Sequence, residues 1–88
     1  MKRKKVKVLN EAGLHARPSS VLVKTASGFE SEFEIEMYGY RVNGKSILGL
    51  MTLAAEKGAE MELILDGPDE DEAMKTLTKL FKNKFNTE

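Results

Sequence analysis

Cysteine is absent from the sequence, which excludes disulfide bonds and thiolate metal sites. No apolar run is long enough to cross a membrane, and the basic residues near the start are not followed by the apolar core of a signal peptide. Net charge is also lacking, because 14 lysines and arginines balance 14 aspartates and glutamates. No overall field therefore attracts nucleic acid or a lipid surface. We predict a cytoplasmic protein without nucleic-acid or membrane partners.

The 88 residues are enough for one domain, residues 1–88, with one modest core. Apolar and charged residues alternate in strand-like segments, and apolar residues recur at helical spacing between them. The predicted strands are 5–9, 31–38, 40–42 and 60–65, and the predicted helices are 16–27, 46–55 and a last one from the cap at Asp69 to about Phe85.

The resulting order is βαββαβα. Each strand has one apolar and one charged face, which indicates a single sheet with helices on one side and water on the other. We therefore predict an α+β fold, an open-faced β-sandwich of one four-stranded antiparallel sheet and three helices. Lysines of the first strand are expected to pair with glutamates across the exposed face.

The segment 13–18, Gly-Leu-His-Ala-Arg-Pro, has the clearest chemical signal. His15, the only histidine, precedes a predicted helix, whose first N–H groups and partial positive charge form an anion site. Pro18 fits the first turn, where a missing N–H has no cost. Arg17 adds a planar cation suited to phosphate. The pattern alone fits two roles for His15: a helix-capping or surface residue, which is the more common case, or a phosphoryl acceptor whose phosphate Arg17 stabilises.

The same segment matches the phosphorylation-site motif of the HPr family, and residues 43–51, Asn-Gly-Lys-Ser-Ile-Leu-Gly-Leu-Met, resemble the family's second site. The resemblance extends over essentially the whole chain. It implies that His15 accepts phosphate, at Nδ1, from enzyme I charged by phosphoenolpyruvate, and donates it to sugar-specific IIA domains. Many relatives carry a polar residue where this chain has Ala12, which leaves open how the loop around His15 is hydrogen-bonded.

A lone histidine has no second histidine to act as a base, so we expect activity only together with partner phosphotransferases. We predict no metal site and no cofactor. The chain is expected to be a monomer.

Ser46 precedes a predicted helix and is a natural N-cap from its residue type alone. The family resemblance adds a second role, regulatory phosphorylation by HPr kinase/phosphorylase. It also opens an alternative function: an HPr-like regulatory adaptor that acts mainly through Ser46-dependent binding to a catabolite-control transcription factor. The presence of His15 favours the phosphocarrier over the adaptor.

The helix after Ser46 has almost no polar face, so its whole surface cannot be buried in a small domain. If Leu50, Leu53 and Ala54 face the core, the remaining apolar side chains form an exposed patch of the kind that marks partner surfaces. The predicted partner-binding residues are Ile47, Leu48 and Met51 of this patch and Ser20, Val21 and Lys24, which form an outward stripe with Arg17. The alternative is that these side chains pack against each other.

Residues 39–46 also fit the P-loop pattern GxxxxGK[ST], which suggests a rival class, a nucleotide hydrolase. The middle of this segment looks like a strand, and the chain is too short for the large parallel α/β domain that a P-loop requires. The basic run 2–5 suggests nucleic-acid binding, but it leads into a strand and lacks interleaved aromatic residues. Both alternatives are disfavoured.

Overall fold

The computed structural model describes all of residues 1–88. It confirms the predicted fold class and the order of elements. No helix has the length and apolar character needed to span a membrane. The strands are β1 (Lys2–Lys7), β2 (Glu32–Met37), β3 (Tyr40–Asn43) and β4 (Glu60–Asp66); the helices are α1 (Ala16–Ala26), α2 (Ile47–Leu53) and α3 (Glu70–Lys82), followed by a short 3₁₀ segment, Lys84–Asn86.

The four strands form one antiparallel sheet in the order β1-β4-β2-β3. Leu63 of β4 lies opposite Lys4 of β1 on one side and opposite Ile35 of β2 on the other. Since side chains alternate between the two faces of a sheet, this register places all predicted apolar residues of β2 and β4 on one face. They are buried beneath the helices: Phe33, Ile35, Met37, Met61, Leu63 and Leu65.

The helices supply the other half of the core. Leu22 of α1, Leu50 of α2 and Leu77 of α3 are each fully buried, in agreement with their helical spacing. The prediction for Ala54 is wrong, because α2 ends at Leu53 and Ala54 adopts a left-handed cap with φ 49°. This cap turns Ala54 to the surface and leaves Leu50 as the buried anchor of α2.

The opposite face of the sheet carries ion pairs between strands, but arginines rather than lysines form them. Arg3 contacts Glu62 at 2.8 Å, and Arg41 lies 3.0 Å from Glu36 and 3.5 Å from Glu34. Ile64 lies on this charged face and yet is only 3% exposed, which the alternation of the sequence did not predict. Its register neighbours are Arg3 and Glu34, long side chains whose aliphatic stems can cover an apolar neighbour.

Two predicted boundaries differ from the structure by three residues, and the others differ by two or fewer. β1 starts at Lys2 instead of residue 5, because its basic residues pair with β4 from Leu65 onward. The last helix ends at Lys82 instead of near Phe85. There the backbone enters a run of positive φ angles that an α-helix cannot accommodate.

Candidate functional site

His15 stands immediately before α1, in extended backbone conformation at the N-terminal cap (φ −79°, ψ −169°). Its side chain makes no capping hydrogen bond and is exposed to solvent. The flanking backbone is anchored: the Ser19 hydroxyl donates to the Leu14 carbonyl at 3.1 Å, and the Ser19 N–H donates to the His15 carbonyl at 3.0 Å. The backbone of His15 is thus held in place while its ring remains accessible.

The loop before His15 is held against the end of α2. The Leu14 N–H donates to the Ala55 carbonyl at 2.9 Å, and the Gly13 N–H donates to the Asn10 carbonyl at 2.9 Å. Gly13 has φ +74°, and a Cβ at this position would lie 2.3 Å from the Ala55 oxygen. A side chain would be excluded by both the backbone angle and this contact, so glycine is required here.

The start of α1 is suited to hold an anion next to His15. The first N–H groups of a helix lack acceptors within the helix, and the helix dipole places partial positive charge there. No acidic side chain lies in the first turn. Arg17 is exposed and takes part in no salt bridge, so its guanidinium is available to a bound anion.

The outward stripe of α1 differs from the prediction at one position. Arg17, Ser20 and Lys24 are exposed, whereas Val21 is half-buried and packs against the core. Val21 therefore packs partly against the core, and the exposed members of the stripe are the polar ones.

The structure places the predicted apolar patch of α2 on the surface. Leu48 is 80% exposed, and Ile47 and Met51 are 42% and 41% exposed. Packing among themselves does not bury these three side chains, so the alternative of a self-contained apolar cluster is not supported for α2. Since α1 and α2 pack against each other, the patch and the polar stripe belong to adjacent helices.

Ser46 caps α2 as its residue type predicts, since its Oγ accepts a hydrogen bond from the Gly49 N–H at 3.1 Å. The turn before it is held by Lys45, whose Nζ donates to the Phe29 carbonyl at 2.8 Å. Phe29 follows α1, whereas Ala55, which contacts the His15 loop, follows α2. The two helices therefore run in opposite directions, and Ser46 and His15 lie at opposite ends of the pair.

The P-loop interpretation fails on the backbone conformation. Tyr40–Asn43, the middle of the matching segment, is strand β3 and pairs in antiparallel register with β2. This segment cannot wrap around a phosphate, because its backbone is extended and bonded to the sheet. Nor does the structure contain a cluster of three or more side chains able to ligate a metal ion.

Sequence reasoning missed one residue of the site. Asn10 is completely buried, and its Nδ2 donates to the Lys84 carbonyl and to the Thr87 hydroxyl, each at 3.0 Å. The only signal in the sequence is an asparagine at the start of a turn. Its partners lie more than 70 residues away along the chain, so no local pattern could have identified them.

Comparison with known proteins gives a consistent assignment. A family model described as the PTS HPr component phosphorylation site matches residues 2–83. The phosphocarrier protein HPr of Treponema pallidum is 48% identical over 85 residues, which cover 97% of each chain. The crystal structure of HPr-C-His from Thermoanaerobacter tengcongensis superposes with a TM-score of 0.95 at 42% identity, covering 100% of this chain and 99% of that one.

An HPr dimer from the same organism is also similar, with a TM-score of 0.78, 42% identity, and coverage of 97% of this chain and 98% of that one. The family model spans nearly all elements of the fold and includes the His15 loop, α1 and α2. The chain therefore belongs to the HPr family of phosphocarrier proteins of the phosphotransferase system.

Proposed function

We propose that His15 is the residue that carries the phosphoryl group, received from enzyme I and passed to the IIA domains of sugar permeases. The observation that supports this most directly is the exposed, unbonded imidazole of His15 at the start of α1. An accessible imidazole nitrogen can act as a nucleophile, and the place where its product would form offers N–H donors and positive potential.

The proposed step conserves atoms and charge. The lone pair of a ring nitrogen of His15 attacks the phosphorus of the donor's phosphoryl group and forms a P–N bond. The bond from phosphorus to the donor breaks, and its electron pair stays on the donor. The reverse of the same step, with a different acceptor, unloads the carrier. Arg17 would neutralise part of the phosphoryl charge in both directions, because its guanidinium has no competing carboxylate.

The experiment mixes the protein with phosphoenolpyruvate and a general enzyme I and follows the intact mass. We expect one added phosphate that survives alkali and is lost in mild acid, as a phosphoramidate should. His15→Ala should accept none, whereas Ser46→Ala, the matched control, should accept one. Phosphorylation of His15→Ala under the same conditions would move the site elsewhere.

Phosphorylation of Ser46 by an HPr kinase/phosphorylase is the proposed regulatory input. The Ser46 hydroxyl is partly accessible at the start of α2 and next to the exposed Ile47 and Leu48. A phosphate there would alter the surface that the proposed partners cover. A pure adaptor that works through a catabolite-control transcription factor is not favoured, because the relatives named above are phosphocarriers.

Two further features of the proposal are a cytoplasmic location, where phosphoenolpyruvate occurs, and a monomeric state. Size-exclusion chromatography with light scattering tests the second. A mass near 9.8 kDa is expected, and twice that mass would contradict it.

A further inference from the structure

We propose that Asn10 is a positioning residue for His15: it ties the loop that carries His15 to a strained turn formed by residues 84–87. This inference rests on the proposed phosphoryl transfer at His15. It concerns how the acceptor is kept in place, and it assigns Asn10 no contact with the phosphoryl group.

Asn10 joins two parts of the chain, one through its main-chain carbonyl and the other through its side-chain amide. Its main-chain carbonyl accepts the Gly13 N–H at 2.9 Å and so closes the turn that leads into His15. Its side-chain Nδ2 donates to the Lys84 carbonyl and the Thr87 hydroxyl. Since Asn10 is 0% exposed, its amide is shielded from water, and a shift of the turn before His15 would weaken these bonds.

The turn that Asn10 contacts is itself strained. Three consecutive residues without a glycine, Lys84, Phe85 and Asn86, have φ angles of 53°, 58° and 58°. Each such residue costs on the order of 1 kcal/mol. Phe85 offsets part of this cost, because its ring is 1% exposed and lies edge-on to Phe81 with ring centroids 4.8 Å apart.

Asn10 also carries an unmet hydrogen-bond acceptor. The Lys84 carbonyl can only accept, so the amide nitrogen must face it, and the buried Oδ1 is left without a partner. An unpaired buried acceptor is destabilising. A leucine-like side chain would avoid this cost but could not hydrogen-bond to the turn. The asparagine therefore fixes the position of the turn at a cost in folding stability.

The strained turn and the unpaired Oδ1 both belong to the link that Asn10 makes between residues 84–87 and the His15 loop. In a transfer reaction, the placement of the reacting group matters strongly. A displacement of about 1 Å of a reacting group can slow a reaction by on the order of 100-fold. Ala12 has no side-chain hydrogen bond to offer the loop. The Leu14 N–H holds it from the α2 side through the Ala55 carbonyl, and Asn10 holds it from the other side.

The test uses substitutions that keep side-chain shape. Thr87→Val removes one hydrogen-bond acceptor of Asn10, and Thr87→Ser keeps the hydroxyl. Asn10→Ser is a second test that replaces the amide with a shorter side chain, so that the result does not depend on how Thr87→Val packs. The matched control is Thr78→Val, because the Thr78 Oγ1 is the other buried oxygen without a partner and lies on α3. Each variant is first checked for folding by circular dichroism.

The main readout is single-turnover transfer from phosphorylated enzyme I over a range of enzyme I concentrations. We expect Thr87→Val and Asn10→Ser to lower the rate at saturation by about twofold to tenfold, the effect of one weakened hydrogen bond, with little change in the half-saturating concentration. Thr87→Ser should retain the wild-type rate, as should Thr78→Val.

The second readout is amide hydrogen exchange at Gly13 and Leu14, together with the NMR signals of the His15 ring. Faster exchange and an altered ring environment are expected in Thr87→Val and Asn10→Ser only. Folded variants that transfer at the wild-type rate, or that change only the half-saturating concentration, would overturn the positioning role. If the wild type accepts no phosphate on His15, the proposed function fails, and the exchange measurement still decides whether Asn10 orders the loop.

Discussion

The carboxylate of Asp69 accepts two hydrogen bonds from Ser31, one from the backbone N–H at 2.9 Å and one from the hydroxyl at 2.5 Å. A third comes from the Glu30 N–H at 2.8 Å. Ser31 is fully buried. The contact joins the turn before β2 to the residue that precedes α3, two parts of the chain that are remote in sequence.

This contact predicts a pH-dependent contribution to stability. The Ser31 hydroxyl, followed by the Glu30 backbone N–H, lowers the pKa of Asp69. A lowered carboxyl pKa contributes stability that is present above the usual aspartate value of about 3.9 and is lost as pH falls through the folded-state pKa. Asp69→Asn should therefore have a lower melting temperature than the wild type at neutral pH. The difference between the two melting temperatures should become smaller as the pH falls.

The measurement is a series of thermal melts from pH 7 to pH 2. Glu72→Gln is the matched control, since Glu72 is an exposed carboxylate in the first turn of α3 without an ion-pair partner, and it should follow the wild type closely. A gap between Asp69→Asn and wild type that stays constant over the whole range would contradict the prediction.

Arg17 is predicted to act on the reaction and not on the fold, because it is exposed and forms no ion pair. Arg17→Ala should slow phosphoryl transfer while changing the free energy of unfolding by no more than about 0.5 kcal/mol. Arg17→Lys should recover only part of the rate, since it keeps the charge but loses the planar fork. Equal transfer rates for Arg17→Ala and wild type would remove the proposed role.

The apolar patch of α2 is predicted to bind enzyme I. Leu48→Gln and Met51→Gln should raise the enzyme I concentration needed for half-maximal transfer and leave the melting temperature nearly unchanged. Leu50→Ala is the contrasting variant on the same helix, because Leu50 is fully buried. It should lose about 2–5 kcal/mol of stability. A large loss of stability in Leu48→Gln would instead place Leu48 in the core.

Ser46→Asp is predicted to affect stability and docking in opposite directions. A negative charge at the start of α2 meets free N–H groups, so stability should be unchanged or rise by about 0.3–1 kcal/mol. The same charge adjoins Ile47 and Leu48, and a partner that covers them must remove water from it. Transfer from enzyme I should therefore require a higher enzyme I concentration.

Ser46→Ala separates the two effects, because it loses the bond to the Gly49 N–H without adding charge. It should be less stable by about 0.5–2 kcal/mol but should dock normally. A Ser46→Asp protein that docks as tightly as wild type, or that melts far lower, is incompatible with the proposed regulation.

Local patterns in the sequence were sufficient for most of the fold, whereas the proposal of His15 as the acceptor needed the resemblance to the HPr family. Alternation identified the buried face of β4, and the turn residues before Ala16 placed His15 at a helix start. Three features were not predictable from such patterns. The turn with positive φ angles at 84–86 contains no glycine that would have indicated it. The hydrogen-bond partners of Asn10 lie at the other end of the chain. Ile64 is covered by charged neighbours on other strands.

The strand order has a consequence for how the protein is made. β1 and β2 are synthesised early, yet neither pairs with the other, and β4 lies between them. Only the β2–β3 hairpin can form alone, and an isolated hairpin is marginally stable. On the ribosome, the sheet cannot assemble until residue 66 has left the exit tunnel. The His15 loop therefore acquires its shape only after residues 84–87, which support it through Asn10, have emerged.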